Sequence, residues 1–84
     1  MQRLLTEEQF TAAVDSAKPV VFVFKADWCP DCIYIEPFMP QLEEQYRDRM
    51  TFCLVDRDQL PELCMSLGIL GIPSFVVYKH GREL

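Results

Sequence analysis

Trp28-Cys29-Pro30-Asp31-Cys32 follows the apolar run Val20-Val21-Phe22-Val23-Phe24 after only Lys25-Ala26-Asp27, and this stretch decides how the chain is read. A continuous β-prone run suits a central strand covered on both faces. Lys25, Ala26 and Asp27 then read as a short loop, and Trp28 to Cys32 opens a helix. Two cysteines three residues apart at a helix start can close a small disulfide ring. Cys29 stands at or before the first turn, where unpaired backbone N–H groups and the helix dipole favour its thiolate. Only the thiolate attacks a disulfide. Cys32, one turn inward, can resolve the mixed disulfide that such an attack leaves. Pro30 suits the first helical position, where no N–H is needed.

Working outward, strands and helices alternate. Thr6 and Gln9 have capping-box spacing, with Glu7 and Glu8 in the first turn, and Phe10, Ala13, Val14 and Ala17 recur at helical period. Lys18-Pro19 ends that helix. The helix opened by the cysteine pair runs to about Arg47 with an apolar stripe of Leu42, Tyr46 and Met50. Pro37 and Pro40 lie inside it and predict a kink. Met50 to Val55 reads as a strand, followed by the acidic turn Asp56-Arg57-Asp58. A short helix spans Leu60 to Leu67, begun near Pro61 and stopped at Gly68. Phe75 to Lys79 is a further strand and His80-Gly81 a turn. This alternation predicts an α/β layer fold, with a crossover joining parallel strands around the second helix.

Composition narrows the function. The chain has 84 residues, enough for one small domain over 1–84 with a modest core. It is 50% apolar and 12% aromatic, which excludes a disordered tail. With 8 Lys plus Arg against 13 Asp plus Glu the net charge is −5, which argues against nucleic acid and anionic membrane as partners. Val20 to Phe24 is far too short to span a bilayer. Glu7 and Glu8 follow Arg3 with no apolar segment between, so no signal peptide is expected and a cytoplasmic location is. In a reducing compartment the four cysteines are catalytic, metal-binding or structural rather than a disulfide framework. Half of a zinc site is the main rival reading of Cys29 and Cys32, but Cys53, Cys64 and His80 form no second ligand pair. Cys53 lies among strand residues and Cys64 on the apolar spacing of a helix, so both read as small buried hydrophobes.

The whole pattern resembles the thioredoxin superfamily, in particular thioredoxin-like proteins with a Trp-Cys-Pro-Asp-Cys site. Beyond the cysteines, Pro37 resembles the family's helix-kinking proline, and Gly71-Ile72-Pro73 its cis-proline loop. Asp56 and Asp58 fit the third-strand exit, and Lys79-His80-Gly81 the turn after the fourth strand. The resemblance covers Thr6 to Leu84. It implies a thioredoxin-like α/β fold, with a central mixed sheet flanked by helices. It also implies a thiol–disulfide oxidoreductase that mainly reduces protein disulfides, Cys29 attacking and Cys32 resolving. Trp28 and Ile72 would offer an apolar rim to disulfide-containing proteins. Pro73 would follow a cis bond, and the Ile72 backbone would pair with an extended substrate segment. Electrons would come from a thioredoxin-reductase-like flavoprotein or a small thiol, with no bound cofactor and no metal. The alternatives are a non-catalytic binding module on the same fold, and metal or cluster binding through the cysteine pair.

The chain departs from the family pattern in three respects. Many members carry a buried acid six residues before the first cysteine, often partnered by a lysine on the third strand. Here these positions are Val23 and Leu54, so a general base for Cys32 is lacking, and water or Asp31 is left to accept the proton. Asp31 stands between the cysteines, Asp27 precedes Trp28, and Ile33 follows Cys32 where a lysine is frequent. Neighbouring carboxylates disfavour a second negative charge, so Asp31, with Pro30, is expected to tune the Cys29 thiol toward lower acidity than a Gly-Pro pair would give. Finally, Arg82, Glu83 and Leu84 can only begin the family's last strand, and its closing helix has no counterpart. A homodimer or exchanged elements are expected if the chain is complete.

Overall fold

Val20–Lys25 (β2) runs through the middle of the sheet because its side chains are apolar on both faces. Val20 to Phe24 are all buried, and Phe22 and Phe24 are wholly so. The computed structural model describes all residues from Met1 to Leu84. Gln2–Leu4 (β1) and Glu7–Val14 (α1) precede β2. Pro30–Ile35 (α2), a 3₁₀ turn over Glu36–Phe38 and Met39–Tyr46 (α3) follow it. Thr51–Asp56 (β3), Pro61–Ser66 (α4), Ser74–Lys79 (β4) and Arg82–Glu83 (β5) complete the chain. The sheet order is β1-β3-β2-β4-β5. β1 and β2 pair parallel with β3, while β4 runs antiparallel to β2 and β5 antiparallel to β4. The expected mixed sheet flanked by helices is therefore observed, with β2 and β3 as the parallel pair joined through α2 and α3.

Alternation along β2 divides the core. Phe22 and Phe24 point to one side, where they pack with Phe10, Leu4, Val55, Leu63 and the two outlying cysteines, Cys53 and Cys64. Phe10 and Tyr78 flank Phe22 with ring centroids at 4.6 and 5.6 Å, the second pair edge-on. Burying a phenylalanine of this kind contributes roughly 1.5–3 kcal/mol. Val21 and Val23 point to the other side against Met39 and Phe52, with the expected stripe of Leu42, Tyr46 and Met50 packed around them. A third, smaller cluster of Ala26, Cys29 and Cys32 closes the end of the sheet where β2 gives way to α2.

The predicted kink is a full break: α2 and α3 are separate helices, with Pro37 in the 3₁₀ turn and Pro40 in the first turn of α3. A proline ring removes one backbone donor and crowds the preceding turn, which relaxes to the tighter winding. The predicted His80-Gly81 turn is a two-residue β4–β5 loop with positive φ at both residues, 52° and 78°. That is the hairpin geometry matched to strand twist. Its N–H groups bond back to the carbonyls of Ser16 and Val14 at the end of α1.

The structure corrects the sequence reading at several boundaries and adds one strand. Lys25 is the last residue of β2 rather than loop, and β3 is shifted to Thr51–Asp56. β1, which was not anticipated, pairs with β3. The first helix ends at Val14, before Ala17. The Thr6 capping box is present: Gln9 N–H donates to Thr6 Oγ1 at 3.2 Å, and Gln9 Oε1 accepts from Thr6 N–H at 3.3 Å. Thr6→Ala is expected to lower stability by about 1 kcal/mol, read as a lower denaturation midpoint at unchanged m-value.

Candidate active site

The site is built where β2 ends and α2 begins. Cys29 is the N-cap of α2, with extended backbone (φ −78°, ψ 116°), and its Sγ accepts the Cys32 N–H at 3.2 Å. A sulfur thus occupies the place where a Ser, Thr or Asp oxygen usually satisfies the first orphan donors. Negative charge arriving on it meets that N–H and the positive end of the helix. Pro30 takes the first helical position, as the sequence predicted, and Asp31 stands exposed in the first turn. Asp27 is also exposed.

Both thiols are buried, Cys29 at 4% and Cys32 at 1% exposure. Burial, and then the neighbouring Cys29 thiol, push the Cys32 thiol above its ordinary range, while an Ala26 backbone hydrogen bond and the Lys25 ammonium pull it down. Cys29 Sγ also faces the Ile72 carbonyl at 3.7 Å, and the Ile72–Pro73 peptide bond is cis. Two stretches distant in sequence are thereby brought together: the Trp28–Cys32 segment and the Ile72-Pro73 loop. Ile72 packs against the Ala26–Cys29–Cys32 cluster, and its N–H donates to no other backbone group.

Trp28 is 59% exposed, so it is no core residue. Its Nε1–H donates to Asp58 Oδ2 at 2.7 Å. Asp58 is itself held by the turn after β3, where its N–H donates to Asp56 Oδ1 at 2.8 Å. The role of Asp58 was missed in the sequence, although the Asp56-Arg57-Asp58 spacing is the signature of such a side-chain-closed turn. Cys53 and Cys64 lie in the large core away from the pair, and burial raises both thiols. They are the small hydrophobes the sequence predicted. No group of three or more His, Cys, Asp or Glu side chains is arranged to hold a metal ion.

Comparison with known proteins agrees with this geometry. The sequence model of the thioredoxin family matches residues 2–84. Thioredoxin-1 of Schizosaccharomyces pombe is 36% identical over 84 residues, covering 100% of this chain and 81% of that protein. Chloroplastic thioredoxin X of Arabidopsis thaliana is 37% identical over 79 residues, 93% of this chain but only 43% of the relative's length. The crystal structure of thioredoxin from Trypanosoma brucei brucei superposes with a TM-score of 0.93 at 27% identity, covering 98% of this chain and 72% of that one. The chain belongs to the thioredoxin family. These relatives support thiol–disulfide oxidoreductase chemistry at the cysteine pair. No helix is long and apolar enough to cross a membrane.

Proposed function

We propose that this chain reduces disulfides in proteins by dithiol–disulfide exchange. The observation that carries the reading is the Cys29 thiol at the cap of α2, with the Cys32 N–H on its sulfur and the Ile72 carbonyl beside it. The Cys29 thiolate attacks a substrate disulfide, and the far substrate sulfur leaves as a thiolate. Cys32 then attacks Cys29 Sγ, the mixed disulfide breaks, and the second substrate sulfur leaves. Both substrate sulfurs are reduced, and Cys29 and Cys32 become a disulfide. Trp28, Ile72 and Pro73 form the docking rim in this reading, supported by the exposed indole and by the Ile72 N–H, which is left for an added strand. Pro30 starts the helix under Cys29, and Asp31 places a carboxylate next to the pair.

The rest of the assignment follows the same chemistry. Residues 1–84 act as one thioredoxin-like domain. A reducing compartment such as the cytoplasm suits two core thiols that have no disulfide partner. A thioredoxin-reductase-like flavoprotein or a small thiol regenerates the dithiol. A homodimer or exchanged element would sit on the α3–β4 face, where Phe38 and Phe75 are exposed around a cavity of about 330 Å³. The test is a redox titration with alkylation and mass analysis. One disulfide linking Cys29 and Cys32 is expected to form over a single two-electron transition, with Cys53 and Cys64 alkylated only on unfolding. A pair that stays reduced at strongly oxidising potentials refutes the reading.

A further inference from the structure

Attack by Cys32 requires its thiolate, yet the side chains below it on the sheet are Val23 and Leu54, neighbours in the β2–β3 register. Neither can accept a proton or stabilise a charge. A cavity of about 280 Å³ opens behind Cys32, and Val23, Leu54, Lys25, Glu36 and Glu43 are among its lining residues. Side chains along a strand alternate, so Lys25 shares the face of Val23 and lines the cavity with it.

The charged groups around this cavity are mostly committed elsewhere. Glu43 of α3 takes the Met1 amino group at 2.6 Å. Asp56, the β3 neighbour of Lys25, takes Arg3 of β1 at 3.3 Å and the Asp58 N–H at 2.8 Å. Glu36, in the 3₁₀ turn, is exposed and unpaired. Lys25 is half-buried, and its ammonium has neither an ion pair nor a side-chain hydrogen bond. A cation partly withdrawn from water without a partner is unfavourable. An anion formed on Cys32, which lines the same cavity, would supply one.

We propose that Lys25 is the positioning residue of the resolving step: its unpaired ammonium lines the same cavity as Cys32 and stabilises the Cys32 thiolate, where Val23 and Leu54 offer nothing polar. This deepens the exchange reading and rests on it. In the step itself the Cys32 thiol gives its proton to solvent reached through the cavity. The thiolate attacks Cys29 Sγ, the Cys29–substrate S–S bond breaks, and the substrate sulfur leaves with the electron pair. That sulfur takes up a proton, so the step is balanced without any outside oxidant. Glu36 acts against Lys25 because it adds negative charge to the same cavity, and the already paired Glu43 and Asp56 add less.

The test is stopped-flow mixing of the reduced protein with an aromatic disulfide whose leaving thiolate absorbs. The first release reports attack by Cys29, the second resolution by Cys32. Removing a charge that favours the Cys32 thiolate cuts the thiolate fraction at neutral pH. The more basic thiolate is intrinsically the better nucleophile, which returns part of this and leaves a net slowing of about threefold. Lys25→Met is therefore expected to slow the second release about threefold at neutral pH and to outrun the wild type by about the same factor in strong alkali. Crossing pH profiles are something a general loss of packing does not produce. Lys25→Arg should follow the wild type, and Lys25→Gln serves if the methionine variant does not fold. Superimposable second-phase profiles for wild type and the neutral variants overturn the proposal. A wild type that never shows a second release overturns the exchange reading itself.

Discussion

Cys29→Ser is expected to reduce protein disulfides no faster than the uncatalysed reaction, and Cys32→Ser to perform one attack and stop. The two outcomes differ because the thiols stand at different places on the same helix turn. Cys29 is the cap: its sulfur already accepts the Cys32 N–H, and it adjoins the Ile72-Pro73 loop where a substrate strand would lie. A serine oxygen preserves the cap hydrogen bond and hence the fold, but a hydroxyl is not ionised at neutral pH and does not attack a disulfide. Stability should barely change while turnover vanishes, which separates loss of chemistry from loss of structure. Cys32 lies one turn deeper at 1% exposure. Its replacement leaves the first attack intact and removes only the internal nucleophile. The variant should therefore accumulate as a covalent adduct with its substrate, visible on a non-reducing gel and released by added thiol. Equal rates for wild type and Cys29→Ser would leave a binding module as the surviving reading.

Much of this site was legible because its signals are local. The cysteine pair, the proline at the first helical position, the capping box and the two helix-breaking prolines each act within one turn of chain, and each is found where the residue types predict. The central strand was legible because five successive β-prone apolar side chains suit a strand covered on both faces. The missed elements lack such a signature. β1 is three residues long and only Leu4 points into the core, so Gln2-Arg3-Leu4 has no readable alternation. Lys25 ends a buried strand with a charge and reads as the start of a loop, because its reason for being there lies across a cavity. The Trp28–Asp58 hydrogen bond joins residues 30 positions apart. Nothing in either local sequence announces it, although the Asx turn that aims Asp58 was open to view.

The same cavity sets the largest stability effect expected from one substitution. Val23 is 1% exposed, packs with Val21, Met39 and Phe52, and lies between Leu54 and Phe75 in the sheet. Val23→Asp restores the acid that many thioredoxin-like chains carry there, but without the lysine on β3. A carboxyl buried without a partner is held protonated, and a folded-state pKa raised by two to three units costs about 3–4 kcal/mol once pH exceeds the folded pKa. The sign follows from linkage. The unfolded Asp titrates near 4 and the folded one well above it, so the penalty is absent below about pH 4 and grows as pH rises to the folded pKa. The variant should thus be clearly weaker than the wild type at neutral pH, and the gap should narrow on acidification to pH 4. Native chains rarely behave this way, since acid usually destabilises them. Val23→Asp/Leu54→Lys should recover part of the loss, because an ammonium on the neighbouring strand restores an opposite charge. A chemical denaturation series at three pH values measures all of this. A pH-independent deficit in Val23→Asp would mean that water from the cavity solvates the carboxylate, and that the Val23–Leu54 floor is not the dry surface that leaves Cys32 dependent on Lys25.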